Sequence, residues 1–476
     1  MAPPAPFDHL SGRDVDRVLD AALERGAGFA EIFVERRETI RLRREEAALR
    51  SPAASVEAGA GIRVLSGDGT GYAHTTDPSV EALLAAAGAA GWIAARGVGP
   101  EAGGGVVPGG PGARPPDALP GGVEPADFGA RAAHLEAVDR IARAADPRIR
   151  EVVVALCEER RAFFLANTAG RRAFEVQVLT TLTAAVYLRA GGRTHRGHAG
   201  AGSRRVFAEE AAGPLRPEVV AGEAARRALV QADAVEAPAG AMPVVIGGGW
   251  GGVLLHEAIG HGFEADFVRR GTSAYAGRLG ARIASGRCTV VDDGTIPGLR
   301  GSFEVDDEGT PARRTLLVDG GVLAGYLHDL LSAGVLGAEP TGNGRRQSFR
   351  SPPIPRQSNL LLLPGEDDPA DILASVPRGL YARGLGGGMV DIVNGNFVFE
   401  VTEGYLIEEG RPTAPVRGAN LIGSGLEVLA NVARVGADFE FDPGIGVCGK
   451  EGQGAPVGVG QPTVLVSSLT VGGTRL

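Results

Sequence analysis

Val15, Val18, Leu19, Ala22 and Leu23 recur at the spacing of one helical face, and Ser11 with Asp14 three residues later frames a capping box ahead of them. The stripe ends at Gly26, so a first helix is predicted there. Residues 29–35 and 39–43 then read as strands, 61–73 as a further strand pair, and 80–96 as a second helix. The order recurs farther on. Leu135, Val138, Ile141, Ala142 and Ala145 mark a helix stopped by Asp146 and Pro147. Strands follow at 151–157 and 162–166, a turn at Asn167, Thr168, Ala169 and Gly170, extended chain over 173–188, and a helix over 209–232. This repeated helix, strands, helix order points to two duplicated α/β units, although no residue-level similarity links them.

From Met242 onward the pattern shortens to strands and hairpins. Asp319-Gly320-Gly321 and Val393-Asn394-Gly395-Asn396 carry hairpin turn chemistry. Phe397, Phe399 and Val401 alternate with Val398, Glu400 and Thr402, the period of a half-buried strand. The expected class is α+β. Units at 1–96 and 126–240 form an N-terminal α/β region, joined by a linker at 97–125 in which 17 of 29 residues are Gly or Pro. A β-rich catalytic domain at 241–476 follows, carrying the one helix with candidate chemistry. A chain of 476 residues with 44% hydrophobic content supports two or three such cores.

Charge and cysteine content narrow the setting. A net charge of −9 argues against nucleic-acid and anionic-membrane partners, which select basic surfaces. Three cysteines form no disulfide framework and fit a reducing cytosol. The first eight residues carry neither a basic region nor an apolar stretch, and the longest uncharged helical run, 82–95, is too short to span a bilayer. A cytoplasmic location is expected.

The candidate chemistry lies at His256-Glu257-Ala258-Ile259-Gly260-His261, in a chain with eight histidines. Two imidazoles with a glutamate beside the first is how a peptidase holds zinc and places a general base by the water. The spacing is unusual. Histidines five apart on a regular α-helix point about 140° away from each other. They meet only if the helix widens into a π-type turn, and Gly260 is the residue expected to tolerate that distortion. The bland alternatives are a core histidine pair or a helix-cap cluster, with Glu257 a surface carboxylate. Residues 242–246 read as a buried strand, 247–252 as a loop with five glycines, and 253–255 as the start of the helix. The glycines could cradle a phosphate, but the Gly-Lys-Ser/Thr ending is missing; their other use is to let a substrate backbone approach.

A third ligand is needed for a catalytic zinc site. Glu264 and Asp266 stand close behind the motif. Cys448 is favoured by its chemistry: backbone N–H groups of its glycine-rich loop and Lys450 should favour the thiolate. Its bland reading is a small buried residue in a turn. Cys157 and Cys288 lie in strand-like runs and read as core.

Taken together, His256 to Asp266, Arg269 to Ser273, Val290 to Thr295, Asp306 to Pro311, Gly344 to Ser348, Pro355 to Asn359 and Val447 to Lys450 resemble the TldD/PmbA family of bacterial and archaeal metallopeptidases, in its TldD branch. The likeness covers most of residues 242–460; the first half is similar only in layout. It implies an α+β fold, zinc held by His256, His261 and Cys448, and Glu257 as the catalytic carboxylate. It also implies trimming of unfolded or leader peptides in the cytosol, in a heterodimer with a non-catalytic TldE/PmbA-like sister; a homodimer is the alternative. Asn343 and Phe349 depart from the family pattern, where histidine and tyrosine are expected, and are candidates for altered substrate preference. Two rival functions stay open: a non-catalytic regulatory protein that binds peptides or proteins, since family names once implied modulation of DNA gyrase, and a zinc amidohydrolase of non-peptide substrates. The residues that bind substrate are not legible in the sequence.

Overall fold

Ser11 starts the first helix as its capping box predicts: its Oγ accepts the Asp14 N–H, and the Asp14 carboxylate accepts the Ser11 N–H at 3.1 Å. The computed structural model describes residues 10–96, 128–391 and 393–473, so the linker expected at 97–125 lies outside the described residues. The N-terminal region runs α1 (Gly12–Leu23), β1 (Phe29–Glu45), β2 (Ala48–Ser66), β3 (Gly69–Thr75) and α2 (Val80–Arg96). It then repeats with α3 (Phe128–Ala144), β4 (Ile149–Asn167), β5 (Arg172–Ala190), β6 (Arg193–Ser203), a short α4 (Phe207–Glu210) and α5 (Pro217–Ala232).

The two repeats build one sheet. Its order is β3-β2-β1-β4-β5-β6, antiparallel throughout, with the first strands of the two repeats paired in the middle. Ala30, Ile32, Val34, Ile40 and Leu42 lie on one face of β1, as period-2 alternation requires. That face packs under α1 and α2 on one half and under α3 and α5 on the other.

The opposite face carries charge, and charge also interrupts the helix-covered face at Arg36, Glu38, Glu158 and Arg160; this is where the observed strands differ from the expected ones. Residues 29–35 and 39–43 belong to a single strand, as do 151–157 and 162–166. The apolar pattern breaks at Arg36, Arg37 and Glu38 and at Glu158, Glu159, Arg160 and Arg161, but much of this charge is paired inside the protein. Arg36 meets Glu38 at 2.8 Å, and Arg161 reaches Glu35 at 2.5 Å and Asp307 at 2.8 Å. Arg63 lies between Glu31 at 3.2 Å and Glu308 at 2.6 Å, all three buried, and Arg346 also pairs with Glu31. Asp307, Glu308 and Arg346 belong to the C-terminal domain, so these pairs join it to the sheet. Breaking one partner of a buried pair costs about 3–5 kcal/mol, because the other charge is stranded.

The helix expected at 209–232 is split by a turn, and Pro217 opens α5 at its first position, where a missing N–H is harmless. Strand β6, poor in β-formers, was not expected. Pairing with β5 holds it, and α5 lies so close that a Cβ on Gly197 would sit 2.0 Å from the Ala224 carbonyl oxygen.

The C-terminal domain has two main sheets. In the larger, Arg378–Val390, Gly240–Ile246, Val464–Gly472, Asn420–Ser424 and Asn396–Glu408 pair in that order, and the last also pairs with the first, closing a ring. The second sheet includes Arg314–Asp319, Val290–Asp293, Asn359–Leu362 and Gly458–Gln461. The hairpins expected at Gly320-Gly321 and at Gly395 are present, with positive φ at all three glycines. One core joins both sheets: Val244, Phe399 and Val466 from the ring meet Val290 and Leu360 from the other. Leu254, Leu255 and Ile259 enter the same core, which anchors the helical segment starting at Gly252. No helix among the described residues is long and apolar enough to cross a membrane.

Candidate metal centre

The helical segment changes pitch twice within a dozen residues. It is α-helical over Gly252–Leu255, a π-helix over His256–Gly260 and 3₁₀ over His261–Phe263. The His261 N–H donates to the His256 carbonyl, the i to i+5 bond of a π-turn. The two imidazoles are thereby brought together, with ring centroids 5.0 Å apart and planes at 77°.

Gly260 serves this turn for a different reason from the one expected. Its φ of −57° and ψ of −47° are ordinary helical values, so no special backbone freedom is used. What glycine provides is space: a Cβ would fall 2.1 Å from Gln357 Oε1. The Gln357 side chain lies against the turn and donates from Nε2 to the His256 carbonyl at 3.2 Å. Close approach recurs at Gly262, packed on the Tyr275 ring, and at Gly425, where a Cβ would stand 2.0 Å from the Ala258 carbonyl oxygen.

Cys448 arrives from the far end of the chain on a hairpin, Val447–Lys450 against Gln453–Pro456. Its turn residues Glu451 and Gly452 have φ of 49° and 73°, the left-handed pair of a two-residue hairpin turn. Cys448 and Lys450 face inward while Val447 and Gly449 are exposed. Arg356, fully buried, donates to the Cys448 carbonyl at 2.5 Å and to the Gln453 carbonyl at 3.1 Å, tying both strands down.

His256, His261 and Cys448 converge, with potential ligand atoms all within 4.8 Å of one another. Cys448 Sγ is 3.2 Å from His261 Nε2. His256 is buried, yet neither of its ring nitrogens has a hydrogen-bond partner. An unsatisfied buried polar group is costly unless something binds it. Two imidazole nitrogens and a thiolate suit a borderline-soft divalent cation, so these residues fit a metal. Burial pushes the Cys448 thiol up, but the charges of His256 and His261 and the hydrogen bond to His261 outweigh it and hold the thiol well below its ordinary range.

Lys450 does not act on Cys448 as expected. Its Nζ donates instead to Glu264 at 2.9 Å, Asp266 at 2.7 Å and the Pro355 carbonyl at 2.9 Å. Glu264 Oε2 also accepts from His261 Nδ1 at 2.8 Å, so this carboxylate lies behind the histidine, on the side away from Cys448. Glu257 lies 3.7 Å from His261 Nε2 with its side chain 24% exposed, whereas His261 is 4% exposed. Of the cluster, Glu257 is therefore the member open to solvent.

The other sequence candidates lie elsewhere. Cys288 is buried in the main core, where burial pushes its thiol up to about 12, and Cys157 is half-buried on β4. Asn343 donates to Asp292 at 2.9 Å and to the Arg356 carbonyl at 3.0 Å. Phe349 packs on Phe33 and Phe163 where the sheet meets the C-terminal domain. Both departures from the family pattern thus have structural partners away from the cluster. Sequence reading did not foresee the parts of Gln357 and Arg356, whose partners lie about a hundred residues away along the chain.

Residues 30–91 match the PmbA/TldA metallopeptidase domain 1, residues 123–232 its central domain and residues 239–473 its C-terminal domain. A Haemophilus influenzae protein named metalloprotease TldD homolog is 39% identical over 473 residues, covering 98% of this chain and 97% of that protein. A Saccharolobus solfataricus protein named zinc metalloprotease TldD homolog is 32% identical over 236 residues, 49% of this chain and 52% of that protein. In fold, the chain is similar to a Thermotoga maritima protein described as a candidate modulator of a DNA gyrase, with a TM-score of 0.77 at 23% identity, covering 97% of this chain and 99% of the other.

The close packing at Gly260 has a measurable consequence. Gly260→Ala should destabilise the protein by about 1–3 kcal/mol, the usual cost of overpacking. Adding Gln357→Ala should recover most of that loss in chemical denaturation. A Gly260→Ala protein as stable as the parent would show that Gln357 does not hold the turn.

Proposed function

The chain belongs to the PmbA/TldD family of metallopeptidases, which are hydrolases, and from that premise we propose that it is a zinc-dependent peptidase of the catalytic kind, acting on unfolded or extended peptides in the cytosol. His256, His261 and Cys448 would hold the zinc, and Glu257 would be its catalytic carboxylate. The observation that carries this reading is the buried His256, with two unpartnered ring nitrogens, facing the Cys448 thiol and His261. A non-catalytic regulatory role would leave that cost unexplained.

A cation bound there supplies Lewis-acid polarisation of a carbonyl and makes a nearby water more acidic. The chain's own contribution is proton transfer. Glu257, beside the cluster and open to solvent, takes a proton from water as its oxygen bonds to the scissile carbonyl carbon. It then delivers that proton to the amide nitrogen as the C–N bond breaks.

The preference for extended substrates follows from the hairpin. The strand Val447–Lys450 pairs on one side with Gln453–Pro456 and, among the described residues, with no strand on the other. Val447 is 62% exposed, and a Cβ at Gly449 would meet nothing within 4 Å. An extended peptide could add along this edge next to Cys448, through main-chain hydrogen bonds that read little side-chain identity. A folded protein keeps those groups paired internally and would be refused. A TldE/PmbA-like sister chain is the proposed partner, with a second copy of this chain as the alternative.

Elemental analysis should find one zinc per chain, mostly lost in His261→Ala and in Cys448→Ala, while Glu257→Gln should keep the metal and lose at least about 10²-fold in turnover. Full metal occupancy in both ligand variants would reject the ligand set, and near-normal turnover in metal-loaded Glu257→Gln would reject the base. Mass spectrometry of digests should show many cuts in unfolded chains and few in their folded counterparts. Equal cutting of both, or cleavage confined to one side-chain motif, would refute backbone reading. Native mass spectrometry of complexes drawn from cells identifies the partner.

A further inference from the structure

We propose that Glu264, held by Lys450, is a positioning residue that fixes the tautomer and orientation of His261 toward the metal. This rests on the metal-centre reading above and adds to it a part for two residues outside the ligand set. An imidazole that binds a metal through one nitrogen must offer a lone pair there, and the proton then sits on the other nitrogen. In His261 the two nitrogens have unlike surroundings. Nε2 faces Cys448 Sγ at 3.2 Å, while Nδ1 faces Glu264 Oε2 at 2.8 Å.

Glu264 is fully buried and is approached by three donors: His261 Nδ1, the Gln357 backbone N–H at 3.3 Å to Oε1, and Lys450 Nζ at 2.9 Å to Oε2. A carboxylate so surrounded acts only as an acceptor. Nδ1 must therefore carry the hydrogen, and the lone pair of Nε2 is turned to the cluster. His256 has no counterpart to this arrangement, since neither of its nitrogens is partnered. The control falls on one ligand only.

Lys450 makes the device rigid. It lies two residues after Cys448 on the same inward face of the strand, as period-2 alternation dictates. Its three N–H groups are taken up by Glu264, Asp266 and the Pro355 carbonyl, and its ammonium sits 4.4 Å from the Phe267 ring centroid. The hairpin thus docks through two side chains at once. Cys448 reaches the front of His261, and Lys450 fixes the carboxylate behind it. A slip of the strand by one residue would turn both to the solvent side.

The test uses the full-length chain with zinc. Chelator competition should show zinc bound about ten- to a hundred-fold more weakly in Glu264→Ala and in Lys450→Met. Long-range ¹H–¹⁵N spectra of the zinc-loaded parent, with His261→Ala for assignment, should show His261 protonated at Nδ1. Parental zinc affinity in Glu264→Ala, or a His261 protonated at Nε2, overturns the proposal. If Glu264→Ala does not fold, the tautomer in the parent protein still decides. Cys448→Ala separates the two readings: retained zinc there defeats the metal centre, whereas zinc lost there but kept in Glu264→Ala defeats this inference alone.

Discussion

Two histidines five residues apart on one helix can share a point in space only if the helix takes an extra residue into that turn. Much of the local structure around His256 and His261 serves this constraint. The π-turn places the rings 5.0 Å apart, and its wider backbone is braced from three sides by contacts that only glycine permits, at Gly260, Gly262 and Gly425. Leu254, Leu255 and Ile259 fix the segment from within by entering the core between the two sheets. On a regular helix the two imidazoles would point about 140° apart, and one of them would turn away from Cys448.

The segment between residues 344 and 359 links that turn to the rest of the molecule. At one end Arg346 joins Glu31 on β1 and the Asp307 carbonyl. In the middle, Gln347 exchanges hydrogen bonds with Gln453 and Gly454 of the cysteine hairpin. At the other end Arg356 holds the Cys448 carbonyl and Gln357 the His256 carbonyl. The charged face of the N-terminal sheet is therefore mechanically continuous with the cluster through a single stretch of chain. Several of the buried charges are paired across this boundary, Arg63 with Glu308, Arg161 with Asp307 and Arg346 with Glu31, and the hairpin that carries Cys448, 187 residues from His261, is tied to the same stretch.

Local features were legible in the sequence, and features closed by distant partners were not. The capping box at Ser11, the helix at 80–96, the glycine hairpin turns and the need for a π-turn all follow from residues within a few positions of one another. β1 and β4 were read as broken strands because Arg36, Arg37, Arg160 and Arg161 look like solvated charge until much of it is seen to be paired within the fold. β6 was missed because its stability lies in β5 and α5 rather than in its own composition. At the cluster, the convergence of His256, His261 and Cys448 was readable, but the cause of the low Cys448 thiol was assigned to the wrong cation. Lys450 is close in sequence, yet its side chain reaches Glu264 and Asp266, and His256 and His261 supply the charge.

Burial is distributed across the cluster in a way that matches a division of labour. His256, His261 and Cys448 are all buried, so water reaches their nitrogen and sulfur atoms poorly. Glu257 beside them keeps a partly exposed carboxylate, which suits the proton carrier proposed above. The same fold that dries the ligands leaves the hairpin edge beside Cys448 open at Val447 and Gly449. On the reading proposed above, one short hairpin, anchored from its inner face by Lys450, would present the Cys448 thiol inward and a main-chain template outward.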